Sequence, residues 1–311
     1  ADSPYAHAPA LVTAEMLKKL GANVDLQAMD WSTMVARRGK KDPPAQGGWN
    51  DAVLGELWLY NLHYFDDLNA RDAGQRGAWQ RALLERWLRE NPPASGKGWE
   101  PYPTSLRMVN WVKWLAAGNT PLPGMAASLA EQARWLARRL EWHLLGNHLF
   151  ANAKALVFAG LFFEGPQAAV WLVTGLTIIA RELPEQVLAD GGNFERSPMY
   201  HAIFLEDVLD LMNVATYWPG QVPTAQVAQW REAAGRMLNW LAAMTHPDGE
   251  VALFNDAAFG VAPNLEELRS YAQRLNVSAR MNLALQKPGT ADEPALVHFA
   301  NSGYIRLETD S

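Results

Sequence analysis

From about residue 56 onward the chain repeats one pattern: an apolar-periodic segment, a short break, then another such segment. The period is that of a helix, not of a strand. Trp79, Leu83, Leu84, Trp87 and Leu88 recur at helical spacing, and the segment stops at Asn91, Pro92 and Pro93. Similar segments at 77–90, 104–117, 126–145, 147–163, 167–181, 198–217, 224–244 and 264–275 read as helices, and residues 13–20 as a further short one. Ser197 is a candidate N-cap, with Pro198 at the first helical position. Nothing strand-like interrupts the series until 251–254, which excludes a βαβ protein. Consecutive helices on short loops pack antiparallel, so the expectation is an all-α fold of helix pairs, a solenoid or an α/α toroid.

The end of the chain breaks the pattern. Residues 296–299 and 303–307 alternate like strands around a turn at Asn301, Ser302 and Gly303. A lone strand pair is not stable. It therefore belongs to a further β-domain or docks on the helices. The chain divides into an N-terminal extension and linker (1–50), a helical domain (51–290) and the first strands of a β-domain (291–311).

Composition narrows the function. The net charge of −6 argues against nucleic acid as partner, since a phosphate backbone demands a basic face. An acidic sugar polymer stays open, because a local basic cleft can sit on an acidic protein. With no cysteine, disulfides, thiolate metal sites and a cysteine nucleophile are excluded. No stretch reads as a membrane span. Metal-ligand spacing such as HExxH is absent, and neither a metal nor another cofactor is expected. The 14 tryptophans are first of all core, but a few are expected to stack on pyranose rings.

Four clusters could carry chemistry. Gly146, Asn147 and His148 open a helix almost without a loop, where backbone N–H groups favour an anion. Lys154, seven positions after Asn147, falls on nearly the same face, so the two could hold a carboxylate. The plain alternative is a capping Asn147 and an interior His148. In the segment 191–201, two glycines precede Asn193, Phe194, Glu195, Arg196, Ser197 and, on the helix, Tyr200 and His201. Tyr200 in a first turn is a candidate acid or base, with the helix dipole expected to lower its pKa. Glu195 and Arg196 could instead simply pair. Trp99, Glu100 and Tyr102, followed by Arg107, Asn110 and Trp111, look like a sugar subsite or a packed proline turn. His246, Pro247, Asp248 and Gly249 read as a turn, with Asn255 and Asp256 shortly after.

Together these motifs resemble the heparinase II/III-like polysaccharide lyases: Leu145 to Leu149, the segment 191–201, and Pro247, Asp248, Gly249 with Asn255 and Asp256. The resemblance covers roughly 55–310. It implies an incomplete α/α toroid followed by a C-terminal β-sandwich, and β-elimination on a uronic-acid polysaccharide. It also implies roles: Asn147 neutralising the substrate carboxylate, His148 beside it, and Tyr200, 53 positions after Asn147, as acid or base. Tyr102, Arg107, Trp111, Lys154, Glu195, Arg196 and His201 are the candidate substrate-binding residues. Family members draw another catalytic histidine from the β-domain, which is expected to complete the site; His298 is not matched to it. The expected partner is an acidic polysaccharide and the expected setting periplasmic or secreted. Two alternatives remain open: a glycoside hydrolase using Glu195 with Glu100 or Asp207, and a non-catalytic polysaccharide-binding module.

Overall fold

The computed structural model describes residues 48–50, 56–277 and 295–308. Apart from Gly48, they belong to the compact unit Trp49–Ser311. The proposed helix at 13–20 lies outside the described residues. Nine α-helices are present among them: α1 (Glu56–Tyr64), α2 (Gly77–Glu90), α3 (Pro101–Ala116), α4 (Met125–Leu136), α5 (Gly146–Phe162), α6 (Pro166–Gln186), α7 (Pro198–Tyr217), α8 (Thr224–Ala243) and α9 (Leu265–Arg274).

Local chemistry explains most of the boundaries. α2 ends where Asn91 donates from both its backbone N–H and its Nδ2 to the Trp87 carbonyl. α3 begins at Pro101, earlier than the spacing suggests, because prolines are tolerated in a first turn. α9 carries a complete capping box between Asn264 and Glu267. Three expectations need correction. The helix read over 126–145 stops at Leu136, and residues 137–145 form turns. There the backbone N–H of Glu141 donates to the buried Asn152 Oδ1, a tertiary bond that no local propensity reveals. Conversely, α6 runs through Pro184 to Gln186, because Glu182, Leu183 and Gln186 are buried on it. The strand at 251–254 is a single bridge, Thr245 to Val251.

Helices α1, α3, α5, α7 and α9 form one row, each touching the next, while α4, α6 and α8 pack between and outside them. This is the two-layer architecture of an incomplete α/α toroid. α5 lies at its centre and packs on α3, α4, α6 and α7. Every residue of it from Leu149 to Leu161 is buried. A helix apolar on all sides needs such complete surroundings. Gly160 and Gly175 let α5 and α6 approach closely: a Cβ on Gly160 would meet Leu172 at 2.6 Å, and one on Gly175 would meet the Ala153 carbonyl at 2.6 Å.

Strands β1 (Ala295–Phe299) and β2 (Tyr304–Glu308) form an antiparallel hairpin with Phe299 opposite Tyr304. It docks on the helices. Val297 and Phe299 pack with Trp240, Ala243 and Met244. Arg306 donates to the carbonyls of Ala242, Ala243 and Thr245, covering the C-terminus of α8 where acceptors are free. Ser302 bonds Asp190 and accepts from the Trp240 indole.

Candidate functional site

The site lies where the N-termini of α3, α5 and α7 meet. Leu145 (φ 56°) and Gly146 (φ 53°) turn the chain sharply, so that α5 begins with its first residues at the surface. Asn147 and His148 sit half-buried in that first turn. Tyr102, second residue of α3, lies against His148 with ring centroids 4.4 Å apart and the rings tilted by 32°. Glu141, from the preceding turns, places Oε1 3.1 Å from His148 Nδ1. Its other oxygen accepts from Asn152 Nδ2, which also donates to Ser105 Oγ. The carboxylate is thereby fixed on the buried side and the imidazole is held by it.

The loop between α6 and α7 supplies the facing wall. Glu195 Oε1 would lie 3.4 Å from a Cβ built on Gly146, an ordinary contact, so the two loops meet here; the positive φ of Gly146, not lack of room, is what favours glycine. Asn193 Oδ1 accepts from the Glu195 N–H. Asn255 Nδ2 donates to the carbonyls of Glu195 and Arg196, and the Tyr304 hydroxyl donates to that of Arg196. These bonds hold Arg196 at φ 59°. Ser197 caps α7 through the Tyr200 N–H, leaving Tyr200 in the first turn. Among the described residues, neither the Asn147 amide nor the Tyr200 hydroxyl has a hydrogen-bond partner.

The electrostatics correct one expectation. Burial raises the Tyr200 pKa above the ordinary phenol range, and the carboxylates of Asp256 and Glu195 add to the rise. The lowering expected from the helix N-terminus is outweighed, so Tyr200 is a phenol throughout the neutral range. Burial likewise raises Glu195, with Asp256 reinforcing and His148 opposing. Tyr102 is raised by burial first and by Asp207 next.

Residues 83–280 match the family model for the heparinase II/III N-terminus. The chain belongs to this family. It is 27% identical over 162 residues to a heparin-sulfate lyase of Bacteroides stercoris, covering 52% of this chain and 24% of that protein. It therefore spans about a quarter of the length of that curated relative. The fold resembles the crystal structure of heparinase III (TM-score 0.57, 20% identity, 73% of this chain and 38% of that one). It also resembles a mutant heparan sulfate lyase from Pedobacter heparinus (TM-score 0.55, 18% identity, 92% and 52%). At these identities the likeness establishes the fold.

Within this heparinase II/III-type fold, the residues singled out by sequence separate into two groups. Tyr102, Asn147, His148, Glu195, Arg196 and Tyr200 gather at the helix N-termini. Arg107, Trp111, Lys154 and His201 do not reach them as free groups. Arg107 is fully buried, donating to Gln132, Thr104 and the His63 carbonyl, with its guanidinium 4.1 Å from the centre of the Trp87 ring. Trp111 is core, edge-on to Trp87. Lys154 is buried between Asp207 (2.7 Å) and Asp210 (2.6 Å), so the carboxylate it holds is the protein's own. Burial alone would lower its pKa, but the two aspartates hold it up. His201 accepts from the Asn193 N–H at Nδ1 and donates to the Met237 carbonyl from Nε2, stacked on Trp240. The correction has one physical cause: helical spacing places a residue on a face but does not say whether another helix covers that face. Of the carboxylates considered for hydrolysis, Asp207 is paired with Lys154, and Glu100 accepts from Tyr60 and pairs with Lys97.

Sequence reasoning missed Glu141 entirely. It lies in the stretch that spacing reads as the helix 126–145, which ends at Leu136, and only the tertiary fold carries it to His148. Asp256 reads in sequence only as a residue following a turn motif, and its proximity to Glu195 and Tyr200 is a product of folding.

Proposed function

We propose that this chain supplies the toroid part of a polysaccharide lyase that cleaves a uronic-acid polymer by β-elimination. The observation that carries the reading is the meeting, at two helix N-termini, of an unpartnered amide, an unpartnered phenol kept protonated, and a carboxylate-held imidazole, in a chain of this family.

Each group fits one need of the reaction. The proton at C5 resists removal because the adjacent carboxylate opposes further negative charge. The Asn147 amide, with the first-turn N–H groups of α5, donates to that carboxylate and stabilises the charge as it develops. His148, with Nδ1–H directed to Glu141, keeps the Nε2 lone pair to accept the C5 proton. The C5–H electron pair forms the C4–C5 double bond as the C4–O bond breaks. Tyr200 gives its proton to the departing glycosidic oxygen, for which a phenol, not a phenolate, is required. Substrate that is an extended polymer places the reaction in a periplasmic or secreted setting.

The test is to incubate the chain with a panel of uronic-acid polysaccharides and follow the ultraviolet absorbance of unsaturated uronate. A rise that disappears in Tyr200→Phe and Asn147→Ala supports the proposal. New reducing ends without the absorbance would point instead to hydrolysis by Glu195. Binding without either product would leave a polysaccharide-binding module.

A further inference from the structure

Trp142 is the one exposed tryptophan among the described residues, at 47%. The other indoles are buried or partly covered, as expected for side chains whose removal from water drives folding. Trp142 directly follows Glu141, and the backbone around it is fixed: its N–H donates to the Leu140 carbonyl, and the N–H groups of Leu144 and Leu145 both donate to that of Glu141. An exposed indole on a braced turn is costly to hydration and gains nothing for the core.

The guanidinium of Arg181, from α6, lies 4.8 Å from the Trp142 ring centre. It is in turn held by Glu182 Oε1, which accepts from Nε and Nη2 and is buried. Gln186, one turn further, donates to both Glu182 and the Gly146 carbonyl. The indole and the guanidinium are thus tied from two directions to the turn that presents Asn147. Near Gly146, Phe194 is also exposed, at 44%, with Cζ 3.9 Å from where a Gly146 Cβ would stand. The surrounding turns carry Arg138, Arg139 and His143, all exposed, while their only acid, Glu141, is turned inward to His148. This stretch is basic and aromatic on a chain of net charge −6.

We propose that Trp142 and Arg181 form a sugar-binding platform beside the Asn147 turn, which takes an acidic hexose unit of the polymer. A pyranose ring lays its C–H face on the indole, and its carboxylate or sulfate accepts from the outward N–H groups of Arg181. The platform rests on the reading of the ligand as an acidic polysaccharide, and does not depend on elimination taking place.

Direct binding separates the two. Titration calorimetry of the full chain with a heparan sulfate hexasaccharide, at two salt concentrations, is the measurement. Trp142→Ala is expected to weaken binding about tenfold, near the 1.4 kcal/mol that a factor of ten represents. Trp142→Phe retains most of the affinity. Arg181→Gln weakens binding and flattens its salt dependence, and Trp79→Ala, at a partly exposed indole on α2, changes nothing. Hexasaccharide affinity unchanged in Trp142→Ala, or no hexasaccharide binding by the parent chain, overturns the platform. Affinity lost in Trp142→Ala in a chain that cleaves nothing sustains the platform and removes the lyase reading alone.

Discussion

Glu141 Oε1 lies 3.1 Å from His148 Nδ1, and the carboxylate that makes this contact is itself held by Asn152 and nearly buried. A carboxylate behind a histidine fixes the ring's orientation and tautomer and stabilises the imidazolium that forms when a proton is taken up, as in the carboxylate–histidine pairs of hydrolases. Glu141 is thus a positioning residue. Glu141→Gln is expected to lower kcat by about 10²-fold, the scale of general acid–base catalysis, with KM little changed. Steady-state kinetics on the best polymer of the panel checks this; a rise in KM at constant kcat would mean that Glu141 shapes binding only.

Tyr200 is held protonated by burial and by the neighbouring Asp256 and Glu195. A reaction that uses the phenol as acid should therefore keep its rate to alkaline pH and lose it only above the ordinary phenol value of about 10. Tyr200→Phe should reduce kcat by at least about 10²-fold. Asp256→Asn removes one of the charges raising the pKa, and should move the alkaline limb downward. A pH–rate profile of kcat for both forms decides it.

Lys154 belongs to the fold and not to the substrate. It shares a buried network with Asp207, Asp210 and Lys113, to which Tyr271 adds a hydrogen bond from its hydroxyl. Removing one member leaves an uncompensated buried charge. Lys154→Met is expected to destabilise the protein by roughly 3–5 kcal/mol. Denaturant unfolding measures the loss. A stable Lys154→Met chain with impaired substrate affinity would return Lys154 to the binding site.

His201 is fully buried and neutral, its pKa lowered from the ordinary 6.5 to about 4 chiefly by burial. Protonation would break the bond in which Nδ1 accepts from Asn193. Above pH 6.5 the group is neutral in both folded and unfolded chains and its contribution is complete. As pH falls from 6.5 towards 4, the unfolded chain binds the proton first and stability is lost, by up to about 3 kcal/mol. Glu206, pushed up to about 7 mainly by burial, acts in the opposite direction in part of this window. The comparison is therefore between the wild type and His201→Gln: the difference in their unfolding free energies should shrink as pH falls from 7 to about 4.5.

The helical class, most element boundaries and the cap at Ser197 were legible because they depend on local chemistry: periodicity of apolar residues, prolines in first turns, and the cost of proline elsewhere. The same holds for the two turns that present Asn147 and Tyr200, since glycines and helix starts are written in adjacent residues. What adjacency could not provide is the identity of each neighbour across the fold. Arg107, Trp111, Lys154 and His201 share composition and spacing with residues at an open cleft, yet packing of α3, α5 and α7 against other helices closes over them. Glu141 reaches His148 because the helix stops early and the turns that follow bond a buried asparagine, and the Tyr200 pKa is raised by burial first and then by Asp256, which a distant loop brings near, and by Glu195. Sequence alone determined which segments are helices and which residues stand at their ends. The tertiary structure decided which of those residues remain open to a ligand and with what charge, because burial and electrostatic partners are properties of contacts between segments distant in the chain.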